Sequence, residues 1–343
     1  MRFIILPDRV FGKGAGSGGI RVPKALASSV AVSGVQHINH IRGSDENPSI
    51  CAWRPPMTYS FTDLRLRPRA TLLAGFMSLM LLPLSPTHGI AQSLPADGAT
   101  AAARLEASPR HGEWVWYDAG GGDRVQAWVT YPERSDPAPV VVVIHDIRAM
   151  SDWARAVGDQ LAADGFIAVV PDLLSGKGPG GGGTDSFTSN EVGRAIRDLD
   201  PAEVNRRLRA AAAYGTSLPS ATDQVGVVGF CWGGSTSFAF AVNYGDLDAA
   251  VVYYGTSPPT ETLASVRAPV LGLYGGADNR VNSTIPAAQA ELERLGKRFE
   301  VNIYEGAGHG FLGRQSGQDG ANQAASESAW PATISFFREL LEQ

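Results

Sequence analysis

The chain has 343 residues, of which 44% are hydrophobic and 18% charged, a composition typical of a soluble globular protein with a sizeable core. Lys and Arg number 29 against 34 Asp and Glu, so the formal net charge of -5 lacks the basic excess that nucleic-acid-binding proteins carry. The composition therefore indicates one large domain or two small ones and argues against a DNA or RNA partner.

The first 56 residues show no sustained helical or strand periodicity and mix Gly, Ser and Pro clusters. We expect residues 1–56 to be an unstructured extension, or a segment that precedes a true translation start at Met57.

Residues 57–91 contain the three parts of a secretory signal peptide. Arginines 65, 67 and 69 precede an apolar run at 70–84, and small residues end at Ala91. An uncleaved anchor and a buried core helix are the alternatives, but the run is short for a bilayer and follows an arginine cluster. We predict cleavage near Ala91, a periplasmic or secreted protein, and no membrane association afterwards.

The only cysteines are Cys51 and Cys231, so cleavage near Ala91 would leave one thiol with no internal disulfide partner. Residues 92–110 are Ala-rich and polar, and we expect a disordered leader there. The folded domain is therefore predicted to span residues 111–343.

Strand and helix patterns alternate through this domain. A hairpin at 113–131 is followed by a continuous β-branched run at 140–145, a helix at 152–163 and a buried strand at 166–170, which together indicate a βαβ unit. The Gly-rich stretch 176–183 lacks the G-K-[ST] ending of a phosphate loop, so we interpret it as a surface loop.

Further along the chain, helices are predicted at 201–214, 232–243, 286–295 and 329–341, with strands before 230 and at 249–254, 268–274 and 299–304. This alternation predicts an α/β fold with a doubly wound, mostly parallel sheet flanked by helices on both faces. Binding sites in such sheets lie at the carboxyl ends of the strands.

The segment Gly229-Phe-Cys231-Trp-Gly233 has the form G-x-C-x-G, the cysteine version of the nucleophile elbow. In that turn a strand passes sharply into a helix, and the two glycines leave room for a strained backbone that exposes the side chain between them. Cys231 is therefore the candidate nucleophile. The alternative is a buried core cysteine, because free cysteine is often buried.

Two further polar residues follow predicted strands. Asp278 and His309 come after Cys231 in the order nucleophile, acid, histidine that this kind of fold uses. A histidine beside the thiol would stabilise the thiolate and protonate a leaving group, and the aspartate would orient the imidazole. Asp278 alone could be a turn residue. His309 stands between glycines on a loop, where packing does not explain it.

Residues 113–341 resemble the dienelactone hydrolase family of α/β-hydrolases. The motifs that carry the resemblance are Gly-Phe-Cys231-Trp-Gly-Gly, Val-Tyr-Tyr254-Gly, Pro-Val-Leu-Gly-Leu-Tyr-Gly-Gly-Ala-Asp278, Gly-Ala-Gly-His309-Gly-Phe and Pro171-Asp172-Leu173. The resemblance implies an α/β-hydrolase fold and hydrolysis of enol-lactones and related carboxylic esters by a cysteine nucleophile, without metal or cofactor.

The family also places a glutamate after the central strand, close to the resting cysteine, where it takes the thiol proton when substrate binds. Asp146 stands at the matching position, one methylene shorter, so the resemblance implies this catalytic role for Asp146. The alternative is a turn or cap aspartate. The elbow fold implies that the backbone N–H groups of Ile147 and Trp232 form the oxyanion hole. His145 is interpreted as a structural residue at the strand end.

Family members bind a substrate carboxylate with arginines. Arg314 is the candidate here, with Tyr254 and Phe311 as further substrate contacts. Arginines 148, 194 and 197 are unassigned possibilities.

We expect a monomer whose partner is a small-molecule ester or lactone. Two other hypotheses remain open at this point: a redox-sensing thiol protein, and a binding module with a decayed site. The complete set of Cys, Asp and His argues against decay, and the lack of a second cysteine in the predicted mature chain argues against the redox hypothesis.

Overall fold

The structure is a computed structural model that describes residues 94–343. The predicted extension at 1–56, the signal peptide at 57–91 and its cleavage site lie outside the described residues. Within residues 94–343, no helix is both long enough and apolar enough to span a bilayer.

Eight strands form one sheet in the order β1-β2-β4-β3-β5-β6-β7-β8. The strands are β1 (Gly112–Asp118), β2 (Arg124–Thr130), β3 (Ala138–Ile144), β4 (Ile167–Pro171), β5 (Ala221–Phe230), β6 (Ala249–Tyr253), β7 (Val270–Gly275) and β8 (Phe299–Tyr304). Only the pairings of β1 with β2 and of β2 with β4 are antiparallel, and all the others are parallel. The predicted mostly parallel, doubly wound sheet is confirmed.

Helices cover both faces of the sheet. They are α1 (Ala101–Glu106), α2 (Asp152–Ala163), α3 (Ser189–Arg197), α4 (Pro201–Thr216), α5 (Trp232–Asn243), α6 (Asn279–Asn282), α7 (Ile285–Arg294) and α8 (Ala321–Leu341). The last helix begins eight residues before its predicted start.

The core lies in two apolar layers, one on each face. One layer packs α4, α5 and α7 on the sheet through residues such as Leu208, Phe240 and Leu292. The other packs α2 and α8 through residues such as Leu161 and Trp330. All seven residues of β3 are buried because helices cover both of its faces, which explains its continuous β-branched sequence.

The prediction of a disordered leader is wrong for residues 94–110. This segment contains α1 and packs on the domain: Trp153 Nε1 donates a hydrogen bond to the Ala96 carbonyl at 3.1 Å, and Gln315 N donates to Asp97 Oδ2 at 2.7 Å. Small apolar side chains such as Ala101, which is 1% exposed, fill the contact. An Ala-rich composition looks like a leader in sequence, yet alanine buries well against a larger partner.

The clearest anchor of this segment is the ion pair of Arg110 with Asp159 of α2. Arg110 Nη2 lies 2.5 Å from Asp159 Oδ2, and the Asp159 side chain is 3% exposed. We expect Arg110→Met to lower the free energy of unfolding by about 3 kcal/mol, because it leaves a buried carboxylate with the Ser108 hydroxyl but without its cationic partner. Urea unfolding at pH 7 measures this loss.

The matched control is the double variant Arg110→Met/Asp159→Asn, which removes the uncompensated charge and should recover much of the loss. An unchanged unfolding free energy in Arg110→Met would contradict the packing of residues 94–110 on the domain.

The fold brings the carboxyl ends of the parallel strands to one edge of the sheet. Gly229 of β5 is in register with Ile144 of β3 and Val252 of β6, and Gly275 of β7 is in register with Tyr304 of β8. The loops that follow β3, β5, β6, β7 and β8 therefore meet above this edge, where the site is built.

Candidate active site

Cys231 occupies a sharp turn between β5 and α5. Its backbone angles are φ 59° and ψ −114°, a conformation that costs a non-glycine residue about 1–3 kcal/mol. A Cβ on Gly229 would collide with the carbonyl oxygen of Gly233, and one on Gly233 would collide with that of His145. Both glycines of the G-x-C-x-G pattern are thus required by the close approach of the backbone.

The alternative of a fully buried core cysteine is wrong. Cys231 is a free, partly exposed thiol at the start of α5. Its N–H donates to the carbonyl of Tyr253 at 3.1 Å, which ties the turn to the end of β6. The elbow therefore presents the sulfur to a cavity instead of packing it inside the core.

His309 connects Cys231 to Asp278. His309 Nε2 lies 3.0 Å from Cys231 Sγ, and His309 Nδ1 lies 2.5 Å from Asp278 Oδ2. A carboxylate can only accept, so Nδ1–H donates to Asp278 and Nε2 faces the sulfur. The hydrogen bond to Cys231 raises the pKa of His309 above its usual value; burial opposes this shift and the hydrogen bond to Asp278 adds to it.

Asp278 has a second contact that agrees with the turn hypothesis. Its Oδ1 accepts a hydrogen bond from Val281 N at 3.4 Å, which caps α6. Both carboxylate oxygens are therefore engaged: Oδ1 makes the structural contact with α6, and Oδ2 makes the contact that orients His309. Turn residue and imidazole partner are compatible descriptions of the same carboxylate.

The sulfur opens on a cavity of about 150 Å³. Six of the residues predicted for the site line it: Asp146, Ile147, Cys231, Tyr254, His309 and Arg314. The Tyr254 ring meets the His309 ring edge-on at 5.2 Å between centroids, so it forms a wall beside the imidazole. Burial raises the pKa of Tyr254 well above its usual value, which keeps the phenol neutral.

Phe311 does not line this cavity, and the prediction that it contacts substrate is wrong. Its ring is fully buried and meets the Tyr254 ring at 5.2 Å and the Tyr304 ring at 5.6 Å. Phe311 instead supports Tyr254 from behind. The position of Phe311 in the motif, two residues after His309, did not show that its side chain points into the core.

Asp146 is paired with Arg148. Arg148 Nε and Nη2 lie 2.9 and 2.7 Å from Asp146 Oδ2, and Arg148 N donates to Oδ1 at 2.8 Å. The Cys231 thiol is hydrogen-bonded to His309. Within residues 94–343, no hydrogen bond joins Asp146 to Cys231. The carboxylate shares the cavity with the sulfur but is bound to the guanidinium.

Sequence reasoning left Arg148 unassigned and missed Trp153, and both line the cavity. The Arg148 guanidinium lies 5.3 Å from the centroid of the Trp153 ring, which fixes it between aromatic face and carboxylate. The Asp-x-Arg spacing in a turn was the available signal, because an Asx turn bonds the aspartate to the backbone N–H two residues later and so leaves an arginine at that position within reach of the carboxylate. Arg194 and Arg197 are not among the residues that line this cavity.

The two predicted oxyanion donors come from different segments, the loop after β3 and the start of α5. Ile147 follows β3 in the cavity wall, and Trp232 is the first residue of α5, where the N–H has no intrahelical acceptor. Neither N–H donates to another group in residues 94–343. Both amides therefore lack a protein acceptor in the described part of the chain.

The strand order, the elbow after β5, the acid after β7 and the histidine after β8 define an α/β-hydrolase. In the described part of the chain, no group of three His, Cys, Asp or Glu is arranged to hold a metal ion. The family model of the dienelactone hydrolase family matches residues 125–341, and the chain belongs to that family.

Relatives agree with this membership, and solved structures share the fold. The chain is 27% identical over 230 residues to the Escherichia coli (strain K12) protein named "Putative carboxymethylenebutenolidase", covering 64% of this chain and 83% of the relative. The structure of a "Putative Dienelactone Hydrolase" from Klebsiella pneumoniae, 22% identical, superposes with a TM-score of 0.59 over 66% of this chain and 98% of that one, which shows the shared fold.

A second solved structure is a dienelactone hydrolase-like promiscuous phosphotriesterase from metagenomic libraries. It is 25% identical, with a TM-score of 0.58 over 67% of this chain and 98% of that one. Proteins of this architecture thus include one described by a reaction other than lactone opening.

Proposed function

We propose that this protein hydrolyses small carboxylic esters or enol-lactones by acyl transfer through Cys231, with His309 as proton carrier and Asp278 as the group that orients it. The observation that carries the proposal is the continuous chain of contacts from Sγ to Nε2 at 3.0 Å and from Nδ1 to Oδ2 at 2.5 Å. Membership of the dienelactone hydrolase family supports it.

The reaction follows from these positions. His309 Nε2 takes the thiol proton as Cys231 Sγ attacks the carbonyl carbon, and the resulting oxyanion accepts hydrogen bonds from the Ile147 and Trp232 amides. Collapse of this intermediate breaks the ester C–O bond, and the imidazolium gives its proton to the leaving oxygen. Water then attacks the thioester with His309 as base, which releases the acid and restores the thiol.

The charge of the cavity favours an anionic substrate. Asp146 and Arg148 both line it and neutralise each other in their ion pair, whereas Arg314, whose side chain is exposed, adds a cation with no carboxylate partner among the described residues. A guanidinium binds a carboxylate through two parallel hydrogen bonds. We propose that the substrate carries an acidic group near the ester, as the name of the E. coli relative also suggests for that protein.

The test is a screen of purified protein against esters, enol-lactones, thioesters and phosphotriesters, before and after alkylation of the thiol. Hydrolysis of a carboxylic ester or lactone that disappears on alkylation supports the proposal. Activity that survives full alkylation of Cys231 contradicts it. A protein that hydrolyses none of these classes but forms a stable sulfenic acid would support the redox alternative.

Asp146→Asn is expected to lower kcat/KM, but by less than Cys231→Ala. The carboxylate contacts Arg148 and not the sulfur, so the change weakens the ion pair that holds the guanidinium while the contacts of His309 remain. Steady-state rates on one ester measure both variants. An equal loss in the two would place Asp146 among the indispensable groups of the reaction.

We further propose export to the periplasm or medium, because residues 57–91 have the composition of a signal peptide. Mass spectrometry of the N-terminus of protein purified from its native host tests this, and a mature terminus far from Gln92 would contradict it.

A further inference from the structure

His145 is a buried titratable residue that the proposed reaction does not use. It directly follows β3, precedes Asp146 and is fully buried. Its side chain contacts each of the two segments that carry the proposed oxyanion donors.

The tautomer of His145 follows from its two hydrogen-bond partners. Leu173 N lies 3.4 Å from Nε2, and a backbone N–H can only donate, so Nε2 accepts. Nδ1 therefore carries the proton and donates to the Asp146 carbonyl oxygen at 3.0 Å. Burial lowers the pKa of His145, which favours this neutral form.

The bond to the Asp146 carbonyl controls the direction of the Ile147 amide. These two groups belong to one peptide unit, and in a planar trans peptide the C=O and the N–H point in opposite directions. The carbonyl also accepts from Ala149 N at 3.0 Å, so it is held by a turn and by the ring of His145. An anchored carbonyl fixes the direction in which the N–H of the same peptide points.

The face of the His145 ring contacts the second donor segment. It stacks on the Trp232 ring with centroids 5.9 Å apart and planes 16° from parallel. The backbone of α5 also approaches the strand end closely here, because a Cβ on Gly233 would collide with the His145 carbonyl oxygen. One imidazole thus contacts both the Asp146–Ile147 peptide and Trp232.

We infer that His145 is the positioning residue of the oxyanion hole: its Nδ1–H orients the peptide that supplies the Ile147 N–H, and its ring supports the residue that supplies the Trp232 N–H. This inference rests on the proposed function. Preorganised donors act because they need no rearrangement when charge develops, and the loss of one donor costs a factor of roughly 100 to 1000 in kcat. A donor that is present but points in the wrong direction should lower kcat by less than this, though still by at least about tenfold.

Three substitutions separate the contacts of the ring. The amide nitrogen of asparagine can occupy the place of Nδ1, whereas that of glutamine reaches the place of Nε2, and phenylalanine keeps only the stacked ring. We expect His145→Asn to retain kcat within a few-fold of the unaltered enzyme. His145→Gln and His145→Phe should lose at least tenfold in kcat, with KM little changed.

Two further readouts separate positioning from general structural damage. A trifluoromethyl ketone forms an oxyanion when the thiol adds to it, so its inhibition constant should rise in the Gln and Phe variants by a factor similar to the loss in kcat. Alkylation by iodoacetamide forms no oxyanion, so its rate should stay the same in all variants. Circular dichroism and thermal unfolding confirm the fold, and if the Phe variant does not fold, the Asn and Gln pair carries the comparison.

The inference is overturned if His145→Gln retains the kcat of the unaltered enzyme, or if alkylation slows in parallel with hydrolysis. Failure of the proposed function would give a different result. The unaltered enzyme would hydrolyse no ester, or the Cys231→Ala variant would be as active as the unaltered enzyme. Either result would also overturn the inference about His145.

Discussion

Cys231→Ala is expected to abolish hydrolysis of p-nitrophenyl acetate, with a fall in kcat on the order of a million-fold, the loss seen when a nucleophile acting as part of a unit is removed. The physical reason is that no other group in the described cavity offers a thiol next to a histidine. Initial rates measure the loss, and circular dichroism checks that the fold is intact.

Two matched variants sharpen this result. His309→Ala should lose a similar amount, because the effects of residues that act together do not add. Cys231→Ser keeps the shape of the elbow and the partner imidazole, yet it should recover only a small part of the rate, since a hydroxyl is a weaker nucleophile than a thiol at neutral pH. Unaltered turnover in both alanine variants would show that the thiol mechanism is wrong.

Asp278→Asn is expected to lower kcat by about 10,000-fold with little loss of stability. An asparagine oxygen can still accept the Val281 N–H that caps α6, so the local fold is retained. The amide, however, no longer provides the carboxylate that accepts from His309 Nδ1, and a ring with the proton on the other nitrogen cannot take the proton of the thiol.

The control for Asp278 is Asp164→Asn. Asp164 is also buried, and its carboxylate accepts hydrogen bonds from Gln160 Nε2 and Trp330 Nε1, away from the cavity of Cys231. This variant should alter the unfolding free energy while leaving kcat unchanged. An Asp278→Asn enzyme with wild-type kcat would contradict the role of the carboxylate in orienting His309.

Several features of the fold could be predicted because they depend on local pattern. The continuous β-branched sequence of β3 predicts burial on both faces of the sheet, and all of its residues are buried in the structure. Cys231, Asp278 and His309 could be placed together because each follows a strand, and the carboxyl ends of parallel strands lie at one edge. The glycines around Cys231 indicated the tight turn, since a Cβ at Gly229 or Gly233 has no room.

Other features depend on contacts between residues far apart in the chain, or on side-chain direction, and these were not predictable. The segment 94–110 looked like a leader because nothing in its composition reveals that Asp159 and Trp153 lie against it. Phe311 looked like a substrate contact, but its side chain points into the core. Whether Asp146 would meet the sulfur or Arg148 depends on side-chain conformation in a turn, which sequence does not determine.

By itself, therefore, the sequence of this protein determined the mostly parallel sheet, the family, and the three residues that meet beyond the strand ends. Periodicity and turn chemistry are local, so they are readable along the chain. Only the tertiary structure decided that Asp146 binds Arg148, that Phe311 supports Tyr254, and that the buried ring of His145 contacts both segments beside the elbow. Those outcomes depend on which side chains compete for the same space and hydrogen bonds after the chain has folded.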